Sequence, residues 1–190
     1  WLGQVQSLLE LREAHEARVW ADKGLELFRN DPELLSAKGV ASVRLGDLDS
    51  AMALSDAALA EKGGSAYRWR ARGEVLLVRE DRNEEFCFGK ALAAAPGDWF
   101  EPLAIGRVYL HHRKYAPALR YLETAAERKT SSAFLWETMG RSLEGLGMTA
   151  RARKAFAAAL DLERGRPVAI EGLARATGSG WLKALMDLIR

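Results

Sequence analysis

Residues 132–162, SAFLWETMGRSLEGLGMTARARKAFAAALDL, carry the pattern on which the rest of the chain is built. Trp136, Met139, Gly140 and Leu143 fall at i, i+3, i+4 and i+7, which puts four side chains on one face of a helix. Ala152, Ala155, Phe156, Ala159 and Leu160 repeat that spacing on a second helix, and Gly145 and Gly147 supply the break between them. The stretch therefore predicts a helical hairpin. Gly140 costs about 1 kcal/mol relative to Ala inside a helix, so it implies close approach of the partner helix at that point, with small residues at Ala152 and Ala159 to match.

Upstream the same register recurs. The equivalent glycines are Gly39, Gly73, Gly106 and Gly140, separated by 34, 33 and 34 residues. W-x2-M-G-x2-L followed by A-x3-F resembles the tetratricopeptide repeat, a helix-turn-helix unit of about 34 residues, with Met139 and Leu143 in place of the usual Leu and Tyr. The resemblance implies an all-α, right-handed α-solenoid of about five hairpins with C-terminal capping helices. The array is expected over residues 1–165, with units near 1–29, 32–62, 66–95, 98–129 and 132–163, and the capping helices over 166–190.

Working outward, each unit departs from the pattern in its own way. In the first, Val5 occupies the glycine position and a turn is expected near Arg12, although no Gly or Pro marks it. Asp31 reads as an N-cap with Pro32 at the first helical position, and Lys38 and Ser42 stand where large apolar residues are expected. The third unit has Trp69, Gly73 and Leu76 on its first helix and Phe86, Phe88, Ala91 and Leu92 on its second, with Arg79–Arg82 replacing a glycine turn and Glu84 or Glu85 at a small-residue position. In the fourth, Asp98 and Glu101 are spaced as a capping box, but Pro102 predicts a helix that starts after Asp98 or bends. Pro167 starts a helix through about Ala176 without the glycine signature. Trp181, Leu182, Leu185, Leu188 and Ile189 give a last amphipathic helix.

The 190 residues are 48% hydrophobic and 28% charged with a net charge of +2, the profile of an ordinary folded domain. No apolar run approaches the roughly 18 residues of a membrane span, and no signal peptide is visible. The sequence opens on Trp1 rather than Met, which reads as a piece of a longer chain. One cysteine, Cys87, rules out an internal disulfide and fits a reducing, cytoplasmic setting. Charge is uneven: residues 1–63 hold 7 basic and 11 acidic side chains, residues 64–190 hold 21 and 15.

Function is expected on the stripe of each first helix opposite its Trp-Gly-Leu face. There tetratricopeptide proteins hold peptides or partner helices. Aromatic residues recur on it as Tyr67, Phe100 and Phe134, and arginines as Arg70, Arg107 and Arg141; Glu74, Leu103, His111 and Glu137 accompany them. Arginine forks suit carboxylates and flat rings suit apolar anchors, so the stripe predicts a protein or peptide partner carrying acidic and apolar groups. The competing reading pairs Arg70 with Glu74 and Arg141 with Glu137 along their own helices. A carboxylate clamp of the Lys-Asn kind resembles nothing on this stripe, since Asn30 and Asn83 are the only asparagines.

Other chemistry finds little support. His15, His111 and His112 lack metal-ligand spacing, Cys87 between Phe86 and Phe88 reads as a small core residue, and no nucleotide or nucleophile motif is present. No enzyme, cofactor or metal is expected. Arg68, Arg70 and Arg72 beside Tyr67 and Trp69 raise an RNA-binding reading, but alternating residues point to different sides of a helix, which argues against nucleic acid. The main alternative is self-association, with Trp181–Arg190 joining two copies into a homodimer.

Overall fold

The computed structural model describes residues 1–60 and 63–178, and its helices fall into two compact units, Trp1–Pro96 and Gly97–Arg190. The first holds α1 (Leu2–Glu10), α2 (Ala14–Leu27), α3 (Pro32–Arg44), α4 (Leu48–Ala60), α5 (Ala66–Val78) and α6 (Glu84–Ala94). The second holds α7 (Phe100–His111), α8 (Tyr115–Arg128), α9 (Ala133–Gly145), α10 (Thr149–Leu162) and α11 (Pro167–Thr177). Consecutive helices pair as hairpins, and within each unit a first helix also packs on the second helix before it and on the preceding first helix. The last helix expected at Trp181–Arg190, and the homodimer contact assigned to it, lie outside the described residues. No helix among the described residues is long and apolar enough to cross a membrane.

The expected close approach is made by an aromatic ring. A Cβ on Gly140 would lie 2.6 Å from the Phe156 ring, and a Cβ on Gly73 would lie 2.4 Å from the Phe88 ring. In the fourth hairpin Leu122 takes the ring's place, 2.9 Å from a Cβ on Gly106. Two hairpins solve the packing differently. In the second, Ser55 stands where the ring would be, and a Cβ on Gly39 would meet Ala51 and Leu54 only at 3.5 and 3.6 Å, an ordinary contact. In the first, sizes are exchanged: Val5 replaces the glycine, Ala21 replaces the ring, and both are fully buried in one cluster.

Three sequence expectations are corrected. The helix after Pro167 does carry a packing glycine: Gly172 presses on the other side of Phe156, where a Cβ would lie 2.4 Å from the ring. Phe86 does not join the buried face; it is 59% exposed, because residues two apart on a helix point about 200° apart and only Phe88 can reach Gly73. Trp69 is half-buried, edge-on to Phe86 at 6.3 Å, rather than claimed by the core.

All five hairpins turn alike. The second residue of the turn takes a left-handed conformation, supplied by Gly46 and Gly147 in two cases and by Arg12, Glu80 and Arg113 in the others. In each, the next N–H reaches back to a carbonyl five residues earlier, as from Met148 to Leu143 at 2.9 Å and from Glu13 to Leu8 at 2.9 Å. This double-bonded helix end satisfies the terminal carbonyls, and it explains why a turn forms at Arg12 without a glycine. At helix starts, Asp31 accepts from the Leu34 N–H at 2.8 Å as expected. α7 begins at Phe100, after Asp98, which leaves Pro102 in the first turn where its missing N–H is harmless.

Alanine at these glycines should separate the hairpins. Gly39→Ala is expected to raise the unfolding free energy by up to about 1 kcal/mol through helix propensity alone. Gly73→Ala and Gly140→Ala are expected to lower it by about 1–3 kcal/mol, because a ring must move. Denaturant unfolding of the three variants reads this directly, and a destabilised Gly39→Ala would overturn it.

Candidate functional site

In the first unit the expected stripe is largely used up by the fold. Tyr67 packs against the cluster that contains Val5 and Leu9. Burial pushes its phenol up to about 12, partly countered by the charge of Arg70, whose guanidinium sits 5.3 Å from the ring centre. Glu74 is 2% exposed and takes two bonds from Arg44 of α3, Nε to Oε1 at 2.7 Å and Nη2 to Oε2 at 3.1 Å. The third donor of that guanidinium goes to the Leu9 carbonyl at 2.8 Å. Burial alone would lower the Arg44 pKa, but the Glu74 carboxylate outweighs it and the pKa is raised. Glu33 and Arg68, 3.3 Å apart, close the same α3–α5 seam further along.

The three arginines of α5 are sent to three places. Arg68 donates to the carbonyls of Ala58 and Gly63, Arg70 covers Tyr67, and Arg72 reaches Ser55 Oγ at 2.5 Å and Asp56 at 2.8 Å. Arg72 thus supplies polar contacts at the hairpin position where other repeats put a ring. The cluster that raised an RNA-binding reading is not one surface.

In the second unit Leu103 is fully buried and Leu110 is 7% exposed, so the first of these, a candidate contact residue, belongs to the core. Phe100 is 45% exposed and meets Trp99 edge-on at 6.0 Å. Glu137 is 5% exposed and is engaged by Arg166 at 2.8 Å rather than by Arg141 of its own helix, while Arg166 also bonds Glu163 at 2.9 Å. Glu144 takes two bonds from Arg175 of α11, at 2.7 and 3.0 Å. Phe134 lies between two guanidiniums, Arg107 at 4.8 Å and Arg166 at 5.6 Å from its ring centre. His111 stacks edge-on to His112 at 4.8 Å.

The α3–α5 and α9–α11 seams each carry carboxylate–guanidinium pairs. Across the α7–α9 seam Arg107 lies near Arg141. Burial lowers the Arg107 pKa, and the like charge of Arg141 lowers it further. Two half-buried guanidiniums near each other offer donors of the kind that a carboxylate accepts.

Sequence reading expects Glu74 and Glu137 as contact residues and misses the partners Arg44, Arg166 and Arg175. A signal was present: the pairs are 30, 29 and 31 residues apart, close to one repeat. Cys87, as expected, is buried, and burial pushes its thiol up, away from the reactive thiolate.

No family model and no curated protein sequence matches the chain. Solved structures do. A tetratricopeptide repeat protein from Parabacteroides merdae superposes over 93% of this chain and 69% of its own, at 20% identity and a TM-score of 0.65. The C-terminal part of a TPR repeat-containing protein from Cytophaga hutchinsonii matches over 97% and 76%, at 17% identity and a TM-score of 0.59. YrrB, a TPR protein with an unusual peptide-binding site, matches over 90% and 88%, at 17% identity and a TM-score of 0.52. The fold is thus an all-α tetratricopeptide-like helical-repeat solenoid.

Two measurements check the electrostatics. Glu74→Gln strands a buried guanidinium and is expected to cost about 3 kcal/mol, whereas Glu144→Gln, on a more exposed pair, should cost under about 1 kcal/mol; equal losses would be incompatible with the burial. For Tyr67 the folded pKa is raised above the ordinary 10.0, so its contribution to stability is complete below pH 10 and is lost as pH rises towards about 12. Ultraviolet titration should show a late phenol that is lost in Tyr67→Phe.

Proposed function

We propose that the chain is a non-enzymatic protein-interaction scaffold whose second unit binds an acidic, partly apolar segment of a partner protein across α7 and α9. One observation carries this reading: Arg107 of α7 and Arg141 of α9 lie near enough that the like charge of Arg141 lowers the Arg107 pKa. A carboxylate between the two guanidiniums relieves their repulsion and accepts charge-assisted hydrogen bonds. Phe100 offers an exposed ring for an apolar side chain and His111 lies near the end of the same helix. Phe134 and Glu137 act behind them, Phe134 by holding the Arg107 guanidinium and Glu137 by holding Arg166. The peptide-binding site of YrrB, a protein of like fold, is consistent with such use of the fold. In the first unit, Tyr67, Arg70 and Glu74 are assigned to packing.

Fluorescence anisotropy with a labelled peptide alternating glutamate and leucine tests this, against the same peptide carrying glutamine for glutamate. The intact chain is expected to prefer the acidic peptide, and Arg107→Glu with Arg141→Glu to weaken it by more than about tenfold, or about 1.4 kcal/mol. Equal binding of both peptides, or no effect of the double variant in a folded protein, would overturn the proposal.

A further inference from the structure

The second helices of the two units begin with opposite charge. In the first unit, Glu13 and Glu16 open α2, and Asp47 and Asp49 open α4. These starts share one end: Asp47 and Ser50 line the same cleft, about 540 Å³, as Arg18 and Asp22 of α2. The floor of that cleft is Lys38 and Ser42, at positions that other hairpins fill with Ile105 and Tyr109 or Met139 and Leu143, so side-chain volume is missing there. The cleft itself is charge-balanced, with Lys38 held by Asp22 at 2.6 Å. The acidic excess comes from Glu13, Glu16 and Asp49, all exposed, which outnumber the one exposed cation at the same turns, Arg12.

In the second unit the corresponding starts are basic. Arg113 and Lys114 precede α8, and Arg151, Arg153 and Lys154 fall in the first turns of α10; all five are exposed. They too share one end, because Tyr115, the first residue of α8, lies on Gly145 at the end of α9, just before α10 begins. Neither helix has an acidic residue in its first turn, and Glu123 offsets only Arg151, at 2.9 Å. Cations at a helix N-terminus oppose the helix dipole, whereas the acidic starts of α2 and α4 complement it. An acidic surface laid on the α8 and α10 starts would therefore be attracted by both the side chains and the dipoles.

The geometry points to a second copy of this chain as the occupant: the basic α8–α10 face of one molecule docks on the acidic α2–α4 face of another. The charge complementarity is contained in one sequence, and the cleft over Lys38 and Ser42 gives the acidic face a recess for an incoming side chain. Each copy carries one face of each sign, so the contact either closes as a dimer in which both faces are used reciprocally or extends head to tail. Nucleic acid fits the basic face less well, since among the described residues α8 and α10 expose no aromatic ring on which a base could stack.

Sedimentation velocity of the full chain tests this. Mass is expected to rise with protein concentration at low salt, with association weakened by more than about tenfold between about 20 and 300 mM salt. Arg153→Glu with Lys154→Glu should abolish association, as should Glu16→Lys with Asp49→Lys, and an equimolar mixture of these two folded variants should associate again through the face each has kept, the acidic α2–α4 face of the first on the basic α8–α10 face of the second. A chain that stays monomeric throughout overturns the proposal, as does association that ignores the reversals. Salt-sensitive binding of a labelled single-stranded RNA, lost in Arg153→Glu with Lys154→Glu while the chain remains monomeric, would give that face to nucleic acid instead.

Discussion

The packing of the second unit depends on one ring. Phe156 is clamped between Gly140 of α9 and Gly172 of α11, each close enough that a single methyl would overlap it. That clamp sets the separation of three helices at once, since α9, α10 and α11 all meet there. A protein interior is as dense as an organic crystal, so a flat ring between two bare backbones fixes distance and orientation more sharply than flexible aliphatic contacts. The other hairpins show the rule by their exceptions. Leu122 fills the same role less tightly, Val5 and Ala21 exchange large for small, and the second hairpin leaves space at Gly39 that the fold bridges with the polar reach of Arg72 to Ser55.

With helix separation set by these contacts, the seams between first helices become places where long charged side chains meet. Arg44 with Glu74, Glu137 with Arg166 and Glu144 with Arg175 each join helices one repeat apart. The buried Arg44–Glu74 pair fastens α3 to α5 and also captures the Leu9 carbonyl at the end of α1, so one guanidinium links three first helices. Such a pair constrains geometry more than it adds stability, because desolvation offsets much of the attraction. At the α7–α9 seam two arginines come near each other, and the like charge of Arg141 adds to burial in lowering the Arg107 pKa.

Most of the fold was legible from sequence because it is local. The recurrence of glycine at a fixed spacing, the apolar face of each helix and the cap at Asp31 all lie within one or two turns of the residues they control. The candidate site was legible only in outline. Tyr67, Glu74, Leu103 and Glu137 are expected as contact residues, yet each is drawn into packing or an ion pair. Phe86 and Phe88 show the limit of a hydrophobicity count: both are apolar and one residue apart from each other's neighbour, but only Phe88 faces a glycine.

By itself, then, the sequence determined that this chain forms helical hairpins in a repeating register, because the 3.6-residue period and the left-handed turn are properties of short segments. Even Arg12 and Glu80, which give no turn signal, obey the register imposed by the helices on either side. Tertiary structure alone decided which charges pair, that Gly172 closes on Phe156, and that Arg107 lies near Arg141. Those partners lie about one repeat apart or more, and only when the helices stack at ring-and-glycine distance do side chains so far separated along the chain come within reach.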